Sequence, residues 1–364
     1  MLKTGAVLPS VKRNPMKKKK NNVNIRSVAA AARVSIATVS RALQNPPSPL
    51  VTPELCQRIR SICEKMRYVP NIHTRRAFQR CSQTIGFFFR SSPLLEQNPA
   101  SANTDLNFSS ALMSAHRELV ANGYELLLCE VTEKMLKNKR HIVMAREKML
   151  DGALIWGPRN DDTYVKDLFD EKLPLVQLSG RVKNLEAPSV TADDYQGMRE
   201  IVKAVLQAGH KNIALLRPPL FSEVGHQRYT GVIDELAENK VTPAAVFVPK
   251  DFGYAAALPV ARRFYKRKHR ATCVITMDDM AAWGFIDVLS ADGLKIPQNL
   301  SITGADGLFF PGHIHLSSYT RPSAQIGENA AKMLLDLING KSIVNKHRLL
   351  SVKHIAGNTI AKIN

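Results

Sequence analysis

Apolar positions first recur at helical spacing in Ile25–Leu43. Ile25, Val28, Ala29 and Ala32 fall at i, i+3, i+4 and i+7, one stripe of a first helix. Arg33-Val34 makes a turn, and Ser35 is placed to cap a second helix. In that helix Val39, Ala42 and Leu43 form the inward stripe, while Ala37, Ser40 and Arg41 stand on another face beside Ile36 and Thr38. The pattern predicts a helix-turn-helix whose second helix offers an apolar-then-basic surface; it also suits a plain helical hairpin in a core. After the proline-broken loop 44–50, Thr52-Pro53-Glu54 starts a third helix with a cap, a proline and an acid. Leu55, Ile59, Ile62, Cys63 and Met66 give it an apolar face, and Tyr68-Val69-Pro70 stops it.

From Thr84 the texture changes to short apolar runs alternating with amphipathic stretches. Strands are predicted at 85–89, 125–130, 153–156, 175–178, 213–216, 245–248, 273–276 and 301–303. Helices are predicted at 108–122, 135–150, 195–208, 226–238, 253–266, 279–292 and 323–339. Gly209-His210 and Gly293-Leu294 read as helix stops. Strands alternating with helices indicate an α/β fold of parallel sheets covered on both faces.

Charge changes the picture. The chain has 364 residues and a net charge of +20, yet residues 1–82 hold 17 Lys and Arg against only Glu54 and Glu64. The positive field therefore sits at the N-terminal end, as a polyanion-binding module requires. Lys17–Lys20 lies in a basic tail, 1–22, expected to be disordered. No run of 18 apolar residues predicts a membrane span, and no apolar stretch follows the first lysines as in a secretory signal. The five cysteines are scattered without a CxxC pair, which fits a reducing cytoplasm. There is no GxSxG, GxGxxG or HExxH, and Leu335 stands where a phosphate loop ending in Gly340-Lys341-Ser342 would need glycine. His313 and His315 are read as an incidental loop pair. No enzyme activity, cofactor or metal is expected.

The segment IRSVAAAARVSIATVSRAL closely resembles the DNA-binding signature of the LacI/GalR family of bacterial transcription regulators, with Val34–Arg41 matching almost letter for letter. The family usually has glycine where this chain has Arg33. The resemblance implies a small all-α helix-turn-helix head followed by two Rossmann-like lobes of the type I periplasmic-binding-protein kind. It divides the chain into the tail, a head at 23–70, a hinge at 71–83 and an effector and dimerisation domain at 84–364. The first lobe would take about 84–192 and 320–346, the second about 193–319 and 347–364. The reading helix would lie in the major groove of double-stranded DNA. Candidate contacts are Asn24, Ile25 and Arg26 at the start of the first helix, and Ser35, Ile36, Ala37, Thr38, Ser40 and Arg41 around the second. Candidate minor-groove contacts in the hinge are Asn71, Arg75, Arg76 and Ala77. The family's minor-groove wedge is a leucine, where this chain has Ala77 beside Phe78.

The resemblance further implies a small-molecule effector, a sugar or sugar derivative, in the cleft between the lobes. Matching positions nominate Arg228 as a clamp, with Asp193, Asp278, Asp306 and Phe108 as further contacts. An arginine–aspartate pair suits a polyol or a small anion. Asp278 also reads as a helix cap before MAAWGFIDVL, and Asp306 as the brace of a turn. Met277 and Ala305 replace residues the family often uses. The function so implied is a homodimeric repressor on a pseudo-palindromic operator, cytoplasmic and not membrane-bound. A solute-binding protein without a regulatory role is the alternative class.

Overall fold

A computed structural model describes residues 23–44, 48–69, 81–90, 106–266, 271–309 and 314–363. The tail 1–22, Asn71, Arg75, Arg76, Ala77, Phe78 and His313 lie outside the described residues. The chain divides into two compact units, Met1–Arg80 and Cys81–Asn364.

The first unit contains α1 (Ile25–Ala32), α2 (Ile36–Ala42) and α3 (Pro53–Lys65). Each starts on a side-chain cap: Asn24 accepts from the Arg26 and Ser27 amides, Ser35 from Thr38, and Thr52 from Leu55. Such caps are worth about 1 kcal/mol apiece. Val28, Ala32, Val39, Ala42, Ile59 and Cys63 close a small core between the three helices. Arg33 is left-handed, with φ 53°. Its amide bonds the Ala30 carbonyl at 3.2 Å and the Val34 amide bonds Ala29 at 3.1 Å, the pattern of a Schellman stop usually made with glycine. Arg67 repeats the device at the end of α3, where φ is 51° and the Tyr68 amide reaches the Cys63 carbonyl at 2.8 Å.

The second unit holds two parallel sheets. The first is built from β1 (Thr84–Phe89), β2 (Glu125–Glu130), β3 (Gly152–Trp156), β4 (Leu175–Leu178), β5 (Ser189–Ala192) and β11 (His347–Leu350). Its strand order is β11-β5-β4-β3-β1-β2. Alternate residues face opposite layers. Ile85, Phe87, Leu154 and Val176 pack with α4 (Leu106–Ala121) and α12 (Ser323–Ile338). Phe88, Ala153, Ile155 and Leu175 pack on the other side with α6 (Arg140–Arg146) and α7 (Thr163–Asp170). The second sheet has the order β7-β6-β8-β9, from β6 (Ile213–Leu216), β7 (Ala245–Phe247), β8 (Cys273–Thr276) and β9 (Ser301–Thr303). One face carries α8 (Asp194–Gln207) and α9 (Glu223–Glu238), the other α10 (Tyr254–Lys266) and α11 (Asp279–Ala291). All strand pairs within these two sheets are parallel.

The structure adds α7, β5 and three further strands that the sequence pattern does not predict, and it changes two boundaries. The helix expected over 135–150 is two short ones, α5 (Glu133–Lys137) and α6, because Lys139 turns left-handed at φ 48° between them. The boundary expected at residue 347 is also corrected. Residues 347–350 are β11, an edge strand of the first sheet in register with β5, so the chain crosses to the second lobe only after Leu350. The crossing segments themselves pair: β10 (Ser318–Thr320) and β12 (Lys353–Ile355) form a two-stranded antiparallel ribbon.

Candidate nucleic-acid interface and ligand cleft

In the head, the outward face of α2 is made by Ser35, Ile36, Ala37 and Arg41, all exposed, with Thr38 and Ser40 half-buried beside them. Ile36 is 44% exposed and stands beside Ser35 and Ala37, so the start of α2 presents an apolar side chain to solvent. The Ser35 hydroxyl accepts from the Thr38 amide at 3.1 Å and lies 2.9 Å from the Thr38 hydroxyl. The two side chains therefore fix each other at the start of the helix. Asn24 does the same for α1, and Arg26 is exposed next to it. Ile25 instead packs against the head core. No acidic residue occurs between Val23 and Pro53, so the face is uniformly positive or neutral. Arg58 of α3 donates to the Ala32 carbonyl at 3.0 Å and ties the turn to the third helix.

In the second unit the carboxyl ends of both parallel sheets face the cleft between lobes, where such folds bind ligands. The charged centre there is Arg228, on α9 and almost wholly buried. Its Nε donates to Asp194 at 2.9 Å, one terminal nitrogen to the Met277 carbonyl at 2.7 Å and the other to Asp306 at 2.5 Å. Asp194 also accepts from the Tyr319 hydroxyl at 2.6 Å and from Arg321 at 3.2 Å. Burial pushes the Asp194 carboxyl up, but the Arg321 and Arg228 guanidiniums and the Tyr319 hydroxyl overcome it and hold the group below the usual carboxylate range. For Arg228, burial disfavours the charge, and Asp306 and Asp194 more than restore it. The Arg228 guanidinium, nominated as an effector clamp, is thus occupied by protein acceptors. Asp306 is itself strained, with φ 143° on a non-glycine residue, a conformation that costs about 1–3 kcal/mol.

The other nominated residues have local duties. Asp193 caps α8, accepting from the Gln196 amide at 3.0 Å. Asp278 caps α11 through the Ala281 amide at 3.0 Å and takes the Gly253 amide at 2.8 Å on its other oxygen. Burial and the nearby Asp306 charge push its carboxyl up to about 6. Phe108 is half-buried in the first lobe, 5.1 Å from the Phe89 ring and 5.9 Å from Trp156, at the cleft ends of β1 and β3. The sequence reading passed over Asp194, Asp279, Tyr319 and Arg321. Asp279 is fully buried and accepts from the Ser318 hydroxyl and the Leu308 amide, each at 2.7 Å. Burial, then the Asp306 charge, push its carboxyl up to about 7. A signal for Asp194 was present: it shares a face with Gly197, Met198 and Ile201 at i+3, i+4 and i+7, all buried. Among the described residues no group of three or more His, Cys, Asp or Glu side chains is placed to hold a metal ion.

Comparison with known proteins meets this geometry at both ends. Residues 24–71 match the bacterial regulatory proteins of the lacI family, and residues 202–360 match the periplasmic binding protein-like domain. The chain thus joins a lacI-family helix-turn-helix head to a periplasmic-binding-protein-like domain, as the lacI-family repressors it is similar to do. The ribose operon repressor of Bacillus subtilis is 26% identical to this regulator over 93% of the chain and 98% of its own length. The probable transcriptional repressor ExuR of the same organism is 25% identical over 87% of the chain and 92% of its own length. A crystal structure of the lac repressor dimer bound to operator and the anti-inducer ONPF superposes with a TM-score of 0.80 at 21% identity, covering 93% of the regulator and 99% of that chain. The fold of the regulator is therefore that of lac repressor. No helix among its described residues is long and apolar enough to cross a membrane.

Proposed function

We propose that this regulator is a transcriptional repressor, not an enzyme, that binds a pseudo-palindromic duplex as a homodimer and responds to a small molecule held in the cleft between its lobes. The observation that carries the reading is the exposed face of α2. Ile36 and Ala37 offer apolar contact to thymine methyls in the major groove, and Arg41 offers a fork to guanine or phosphate. Asn24, Arg26, Ser35, Thr38 and Ser40 line the same front and serve the flanking phosphates. One such helix reads only a few base pairs, so a twofold pair on an inverted repeat supplies the remaining specificity. Repressor names on relatives that span most of the chain favour this reading over a solute carrier without a regulatory role. We place the protein in the bacterial cytoplasm, on the nucleoid when bound.

For the effector, structural neighbours in complex with cellobiose and ribose support a sugar or a sugar derivative. Phe108 with Trp156 in the first lobe offers the apolar stacking face a pyranose or furanose uses, while Arg228, held by Asp194 and Asp306, sets the charge of the facing wall. Selection of the full chain on a random-sequence duplex library at low ionic strength tests the reading. An enriched inverted repeat is expected; a pool that stays random with and without metabolite extract overturns it. A thermal-shift screen of sugars, sugar acids and nucleosides tests the effector class, because a ligand present at 100 times its Kd raises stability by about 2.7 kcal/mol.

A further inference from the structure

The two lobes touch across the mouth of the cleft. The loop after β3 meets the loop after β6: the Asn160 amide donates to the Phe221 carbonyl at 2.8 Å, and its side-chain amide to the Leu220 carbonyl at 3.2 Å. Arg159 and Ser222 form an isolated antiparallel bridge, and the Arg159 guanidinium lies 4.4 Å from the centre of the Phe221 ring. Beside them Arg181, following β4 in the first lobe, holds Glu223 at the start of α9 in the second, through Nε at 2.8 Å and a terminal nitrogen at 2.5 Å. Backbone, stacking and ionic contacts thus converge on one point.

Each half is fixed on its own lobe. Asp162 is buried, and its two oxygens take the Arg90 guanidinium (Nε at 2.9 Å) and the Arg159 amide at 2.7 Å. That ties the loop 157–162 to the end of β1. On the other lobe Ser222 caps α9 through the Gly225 amide at 3.3 Å. Gly225 lets the Pro219 carbonyl come so close that a Cβ there would stand 2.0 Å from it. Halves already ordered before they meet lose little freedom on closing. Behind them Arg228 is satisfied by Asp194 and Asp306, so shutting the cleft leaves that guanidinium no unpaired charge.

We propose that a clasp made of the Arg181–Glu223 pair and the 159–160 to 220–222 backbone contact latches the two lobes of this regulator together at the mouth of the cleft. A ligand then competes with the clasp, and its apparent affinity is lowered by the fraction of molecules in which the clasp is open. The inference rests on the cleft reading for its consequence, but its test uses neither DNA nor effector.

Hydrogen exchange followed by mass spectrometry on the full ligand-free chain provides that test. The wild type is compared with Arg181→Glu, Glu223→Arg, the double exchange and the milder Glu223→Gln. Each single variant is expected to speed exchange of the amides in 157–162 and 218–224 by about tenfold, with β1 and β6 unchanged, because only the local opening is made easier. The double exchange is expected to recover protection to within about threefold of wild type, the mark of a direct pair. Glu223→Gln, which preserves shape, must move the same amides in the same direction. Unprotected amides in the wild type, or single variants that leave 157–162 and 218–224 as slow as before, overturn the clasp.

Discussion

Arg33 and Arg41 show how single side chains set the properties of the head. A non-glycine residue in the left-handed region costs about 1–2 kcal/mol, while glycine there forfeits about 0.5–1 kcal/mol of chain entropy. Arg33→Gly is therefore expected to stabilise the head by up to about 1 kcal/mol in thermal or urea unfolding; an unchanged or lower midpoint contradicts the cost assigned to φ 53°. Arg41 is exposed in the last turn of α2 with its guanidinium outward. Arg41→Ala is expected to weaken binding to a selected duplex by about 1–3 kcal/mol and to relax base preference at one symmetric pair of positions. A competition titration that finds affinity and preference intact removes this residue from the reading surface. At this scale the sequence was legible where a side chain has one local task. Ser35 and Asp278 follow from what stands three residues later, and both cap as read. Sequence points to Asp193 and passes over Asp194, because the partners of Asp194 lie 34 and 125 positions away.

Among the elements, the long amphipathic helices and the fully apolar strands were legible from period alone, since their spacing and their burial carry the same information. The short edge pieces were not. β11 is His347-Arg348-Leu349-Leu350, with Leu349 59% exposed, so neither alternation nor an apolar run marks it; only its parallel register with β5 makes it a strand. Likewise the break between α5 and α6 falls at Asn138-Lys139 with no glycine or proline to announce it. Packing between elements also makes demands that periodicity does not show. Where α12 crosses α4, a Cβ on Gly327 would lie 2.0 Å from the Ala111 carbonyl oxygen, so the helices meet backbone to backbone. Gly327→Ala is expected to destabilise the second unit by about 1–3 kcal/mol, because the gain in helix propensity is smaller than the cost of prising the pair apart. A melting temperature at or above wild type contradicts this contact.

For the whole molecule, charge placement and buried acids govern behaviour with salt and pH. The basic N-terminal region concentrates phosphate attraction in the part that carries the reading helix, while in the second unit Arg228 and Arg321 are paired inside with Asp194 and Asp306. Asp279 is held at about 7, above its ordinary 3.8, by burial and then by Asp306. A carboxyl raised on folding contributes stability that is complete below the unfolded value and is lost as pH rises through the folded one. The stability of wild type relative to Asp279→Asn is thus expected to fall between about pH 4 and pH 7 and to level off above. A difference that stays constant across that window contradicts the burial assigned to Asp279.

The central claim is that α2 reads DNA in two symmetric copies. Its most direct measurement is the stoichiometry of the full chain on the selected duplex, by sedimentation velocity, set against a duplex carrying only one half of the repeat. Two chains on the full repeat and a large loss of affinity on the half repeat are predicted. One chain per duplex, or equal affinity for half and full repeats, would contradict it.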